Sequence, residues 1–96
     1  MYQQRLKDVR GIIMPKDKND EYASYVMFIN RCRDRDKLQK YLAEHNIQSL
    51  IYYGTPLHKH KAFLDKYGYV KDVKNSEKIC KEVLALPHHQ NLTNNQ

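Results

Sequence analysis

The sequence predicts an α+β fold: a small sheet with helices packed on one side. Three observations carry that expectation. Two short apolar runs, Tyr25-Val26-Met27-Phe28-Ile29 and Ile47 to Tyr53, have strand character. Segments of helical period lie between and after them. The chain is 96 residues long, 41% hydrophobic and 29% charged, which suits one small domain with a modest core.

Residues 1–9 place Tyr2, Leu6 and Val9 at helical spacing, as in a short amphipathic helix. Gly11 to Tyr22 reads as a loop, because its Pro-Lys-Asp-Lys-Asn-Asp-Glu run is polar and turn-rich. The run at 25–29 is continuous and apolar, as in a strand covered on both faces. Asp34 is a capping residue type, and a helix is expected from there to about His45. Leu38, Tyr41 and Leu42 form its inner stripe, and Asn46 is its stop. The strand from Ile47 to Tyr53 sets Leu50 and Tyr52 on one face and Ile51 and Tyr53 on the other. Connections of βαβ type are expected between the strands.

Thr55 and Pro56 suit the cap and first position of a helix running to Tyr67. Leu57, Leu64 and either Lys61 or Phe63 face inward on it. Gly68 follows its end as a C′ residue. Another helix starts at Asn75 or Ser76, with Ile79, Cys80, Val83 and Leu84 as its apolar face. Pro87 closes that helix, or closes a short strand at Leu84-Ala85-Leu86. Thr93 and Gln96 match a capping box, so a further helix begins where the sequence stops. The opening residues lie inside an amphipathic pattern. Both ends therefore read as those of a segment cut from a longer protein, with residues 1–96 as one small domain.

Composition narrows the function. There is no apolar run near the ~18 residues of a membrane span and no leader-like start. Cys32 and Cys80 are isolated thiols without C-x-x-C spacing, which reads as a reduced, cytoplasmic protein. Both are expected to act as small buried hydrophobes. Net charge is +6, with 17 basic and 11 acidic residues, and the lysines are spread along the chain as solvated charge. Eight tyrosines raise base stacking on single-stranded nucleic acid. The RNP-like Gly/Phe pattern is missing, and the tyrosines suit core or interface positions, so nucleic acid is not the expected partner.

No metal site is expected. His58 and His60 stand two apart, which on a helix splays them by about 200°, whereas zinc favours i, i+4 pairs or cysteine pairs. No catalytic nucleophile with a base and its orienter is legible. The concentrated feature is Leu50-Ile-Tyr-Tyr-Gly-Thr-Pro-Leu-His58. A helix start there would offer free backbone N–H groups and a positive dipole end to an anion, beside two phenols. The candidate binding residues are Tyr52, Tyr53 and His58.

These residues carry a resemblance. Ile51-Tyr52-Tyr53-Gly54-Thr55-Pro56-Leu57-His58, then Gly68-Tyr69, then Leu84-Ala85-Leu86-Pro87-His88-His89 with Leu92-Thr93, resembles the C-terminal small domain of the DegT/DnrJ/EryC1/StrS-type sugar-nucleotide aminotransferases. The likeness covers nearly the whole chain. It implies the small domain of a fold-type I pyridoxal-phosphate enzyme, which transfers an amino group from glutamate to a nucleotide-linked keto sugar. It further implies that the cofactor lysine and phosphate grip belong to a large domain upstream. The 96 residues alone would then hold no cofactor, supply no catalytic residue, and pack on that large domain in a homodimer. The family motif reads His-Tyr-Pro-x-Pro-Leu-His. Tyr53, Pro56, Leu57 and His58 match it, while Tyr52 stands for the first His and Gly54 for the first Pro. A phenol donates a hydrogen bond but cannot stand in for an imidazole in proton handling, so substrate contact is the role Tyr52 retains. Dehydratases share this fold, and the motif does not separate the two reactions. The alternative reading is a free-standing basic domain that binds nucleic acid or another anionic partner.

Overall fold

A computed structural model describes residues 1–95. In chain order, helix α1 spans Tyr2–Leu6, strand β1 Ile12–Ile13, strand β2 Phe28–Cys32 and helix α2 Arg35–Glu44. A 3-10 turn at Leu57–Lys59 follows, then helix α3 at Lys61–Tyr67, helix α4 at Lys74–Glu82 and strand β3 at Val83–Leu86. The class is α+β, as expected. The connections are not βαβ, because β2 pairs antiparallel with β1 on one side and with β3 on the other.

The core sits on β2 and β3. On β2, Phe28, Asn30 and Cys32 are buried and alternate with half-buried Ile29 and Arg31, the period-2 pattern of a strand. Val83, Leu84 and Ala85 of β3 are all buried, so both faces of that strand are covered. The register sets Phe28 opposite Leu86, Asn30 opposite Leu84 and Arg31 opposite Val83. Tyr2 of α1 stacks on Phe28 at 5.1 Å, and its hydroxyl donates to the Pro87 carbonyl at 2.7 Å. That joins the first helix to the end of β3.

The β2 strand starts three residues later than the apolar run. Tyr25 has a positive φ of 48°, and Val26 is 85% exposed. The polar end of the strand is stabilised instead by Arg31, whose guanidinium meets Glu82 at 2.7 Å. Strand β1 was hidden in a stretch read as loop. It is two residues long and is fixed by the Arg33 N–H donating to the Gly11 carbonyl at 2.9 Å. Gly11 has φ +83°, a conformation that favours glycine.

Helix α2 follows Asp34, but that side chain makes no cap hydrogen bond. Leu38 and Leu42 are half-buried, whereas Tyr41 is 56% exposed and lies outside the inner stripe. Asn46 does end the helix, with φ 59°, and the Ile47 N–H returns to the Leu42 carbonyl at 2.8 Å. Arg35 reaches from α2 to the Cys80 and Val83 carbonyls, both at 3.2 Å. A cation thus caps the last carbonyls of α4.

The expected strand at 47–53 shrinks to one bridge, Leu50 with Ala85. Ala85 already pairs with Ile29 across the sheet, and Leu50 takes its outer edge with hydrogen bonds of 2.7 and 3.1 Å. The chain then turns away, carrying Tyr52 and Tyr53 off the sheet edge. The helix expected from Pro56 to Tyr67 is broken at His60, whose ψ of 139° is extended. Pro56 stands before a 3-10 turn, and Leu57 points out at 73% exposure instead of inward. Gly68, at φ 74°, ends α3 as expected, its N–H donating to the Leu64 carbonyl at 2.9 Å. Helix α4 runs straight into β3, so of the two readings for 84–86 the strand is the one that forms. The expected capping box rests on Gln96, outside the described residues.

Candidate functional site

Tyr52, Tyr53 and His58 come together on one open cleft of about 850 Å3 between the 52–60 segment and α4. Phe63, Val73, Ile79 and Cys80 complete much of its apolar wall. The phenol rings of Tyr52 and Tyr53 meet edge to face at 5.5 Å, and the peptide between them is cis. Tyr53 is 70% exposed, Tyr52 is half-buried and His58 is 8% exposed. No residue lining the cleft is a lysine or an arginine.

The anion argument for this junction does not survive the geometry. Thr55 caps no helix, and the residues after Pro56 form a three-residue 3-10 turn. Helix α3 begins only at Lys61 and has seven residues. No α-helix N-terminus therefore stands at Pro56. What the segment presents is two phenols and an imidazole on an apolar surface.

The imidazole is held from beneath. His58 Nε2 lies 3.1 Å from Glu77 Oε1 on α4, and the Lys59 ammonium meets the same oxygen at 3.3 Å. The hydrogen bond from His58, and then that from Lys59, hold the Glu77 carboxyl below its usual range. His60 Nε2 approaches the Thr55 carbonyl at 3.3 Å, which closes the loop on itself. Sequence reasoning missed Glu77. The signal was there: Glu77 stands four after Val73 and three before Cys80, so a carboxylate interrupts the apolar face of α4.

That depressed carboxyl gives a pH prediction. A group whose folded pKa is lowered adds stability above its unfolded value and loses it as pH falls through the folded one. Unfolded glutamate titrates near about 4.3. Wild type should therefore melt above Glu77→Gln at neutral pH, and the gap should close as the pH drops below the ordinary glutamate range. Thermal melts of both proteins from pH 7 to pH 3 check this. A gap constant across the range would contradict it.

Cys80 is only half-buried, on the cleft wall, which departs from the expected core position. Cys32 is buried, and that burial pushes its thiol pKa up, away from nucleophilic use. Among the described residues no cluster of three or more His, Cys, Asp and Glu is placed to hold a metal ion. No described helix is long and apolar enough to cross a membrane. A pyridoxal phosphate would need a lysine to bond it and cationic or backbone donors for its phosphate. The cleft lining has neither lysine nor arginine, so the residues of this cleft do not by themselves fit that group.

This fold is shared with solved aminotransferase structures. The chain superposes on a crystal structure of a DegT DnrJ EryC1 StrS aminotransferase from Brucella abortus with a TM-score of 0.85. That match has 27% sequence identity and covers 98% of this chain and 25% of the other. The model of the DegT/DnrJ/EryC1/StrS aminotransferase family matches residues 1–96, and the chain belongs to that family. It is 37% identical over 86 residues to the erythromycin biosynthesis sensory transduction protein EryC1 of Saccharopolyspora erythraea, covering 90% of this chain and 24% of that protein. It is 38% identical over 76 residues to a dTDP-3-amino-3,6-dideoxy-alpha-D-galactopyranose transaminase of Aneurinibacillus thermoaerophilus, covering 79% of this chain and 20% of that one. The chain thus spans about a quarter of the length of the relatives it matches.

Proposed function

We propose that residues 1–96 are the C-terminal small domain of a pyridoxal-phosphate-dependent aminotransferase acting on nucleotide-linked keto sugars. The observation that carries this reading is the convergence of Tyr52, Tyr53 and His58 on one cleft in a chain of this family. The cofactor supplies the amino-transfer chemistry, and the residues that bind it lie in a large domain of the same polypeptide. This chain supplies no catalytic residue. It packs on the large domain, within a homodimeric cytoplasmic enzyme of amino-sugar and surface polysaccharide synthesis.

In that setting the cleft forms one wall of the sugar-nucleotide site. The Tyr52 and Tyr53 hydroxyls donate to substrate oxygens, and the apolar lining excludes water. A wall without lysine or arginine gives a diphosphate no counter-charge, so sugar oxygens are the partners these phenols suit best. Tyr53 is the more exposed of the two and is the residue to test.

Tyr53→Phe in the complete enzyme removes one hydroxyl and leaves the ring. One hydrogen bond of about 1 kcal/mol corresponds to a roughly five-fold rise in substrate KM, or an equal fall in kcat/KM. Steady-state kinetics with a nucleotide-linked keto sugar measures this. Unchanged constants would remove Tyr53 from the site.

A further inference from the structure

Glu77 does not line the cleft, yet it touches two residues of the turn that does. It sits in the first turn of α4, where a carboxylate is favoured by the helix dipole. Its Oε1 lies 3.1 Å from His58 Nε2 and 3.3 Å from Lys59 Nζ. A carboxylate only accepts hydrogen bonds, so Nε2 is the nitrogen that carries the proton toward it. In the neutral ring Nδ1 is then an acceptor. His58 is itself 8% exposed, so its ring has little freedom to turn.

We infer that Glu77 is the positioning residue of the cleft. It fixes His58 in the Nε2–H form and ties the Leu57–Lys59 turn to α4, so that the cleft wall offers an imidazole acceptor as well as two phenol donors. A group that both gives and accepts hydrogen bonds, as a hydroxyl does, is matched by that set. The assignment deepens the substrate-wall reading and rests on it for its meaning in turnover. The tautomer itself is measurable without turnover.

The experiment is nuclear magnetic resonance on the chain labelled with 15N-histidine, at alkaline pH. Wild type should show His58 with a protonated Nε2, an unprotonated Nδ1 and an Nε2 proton protected from exchange with water. In Glu77→Ala that proton should exchange at least about ten-fold faster, the loss of one charge-assisted hydrogen bond. Glu77→Gln keeps an oxygen acceptor and should restore much of the protection. An Nδ1-protonated His58 in wild type would overturn the assignment even if no variant folds. Unaltered exchange in Glu77→Ala would overturn it too. Tyr53→Phe kinetics reports separately on the substrate wall, so failure of that reading is told apart from failure of this one.

Discussion

Leu84→Ala is expected to lower the unfolding free energy by about 3 kcal/mol, within the usual 2–5 for a buried leucine. Leu84 is fully buried, at 0% exposure, in the middle of a strand whose two neighbours, Val83 and Ala85, are buried as well. Covered faces on both sides leave the cavity no easy way to collapse. The loss is large for this chain because its buried apolar set is small: Phe28, Cys32, Val83, Leu84 and Ala85. Domains of this size have total stabilities of about 5–15 kcal/mol. With a urea slope of about 1.5 kcal/mol per molar, the midpoint should fall by about 2 M. Ile13→Ala is the control. Ile13 is 58% exposed on the edge strand β1, and its removal should cost no more than about 0.5 kcal/mol. Equal midpoints for the two variants would show that the core is not centred on β3.

The importance of β3 was only half legible in the sequence. Ile79, Cys80, Val83 and Leu84 fit a helical face, and Leu84-Ala85-Leu86 before a proline also fits a strand. Periodicity does not choose between these, because short apolar runs satisfy both patterns. The tertiary structure decides. Arg35 comes from another helix to cap the Cys80 and Val83 carbonyls, so α4 ends where β2 offers a partner. The error in β2 has a related cause. Hydrophobicity located the strand at Tyr25 to Ile29, but Asn30, Arg31 and Cys32 belong to it. Arg31 is tolerated because Glu82, at the end of α4, meets it, a partner 51 residues away.

The site divides the same way. The residue types of the 50–58 segment were sufficient to nominate Tyr52, Tyr53 and His58, and all three line one cleft. The local reason given for them was wrong. Thr55-Pro56 looked like a helix start, whereas the chain makes a 3-10 turn and a break at His60 before α3. Tethers outside that segment shape this stretch: Leu50 is bound to Ala85, and His58 and Lys59 are bound to Glu77. Local pattern carries no information about such tethers. Only the carboxylate on the apolar face of α4 hinted at one of them.

Asn30→Val should stabilise the chain by about 1–2 kcal/mol, the reverse of what replacing a buried residue usually does. Asn30 is 1% exposed, between Phe28 and Cys32 on the inward face of β2. Its cross-strand partner is Leu84, which has nothing to offer an amide. Among the described residues, neither Oδ1 nor Nδ2 finds a hydrogen-bond partner. A buried amide without partners loses its water contacts with no return, at about 1–3 kcal/mol. Valine removes that loss, suits a strand, and packs against Leu84 and its flanking apolar side chains. For about 100 residues, 1 kcal/mol moves the melting temperature by roughly 4–8 °C, so a rise of about 5–10 °C is expected by calorimetry. Asn30→Asp gives the opposite test. It sets a carboxylate in the same dry position and should lower the melting temperature sharply at neutral pH, with recovery in acid as the group protonates. A fall in melting temperature for Asn30→Val would show that the amide has a partner in solution, such as a buried water, and is stabilising.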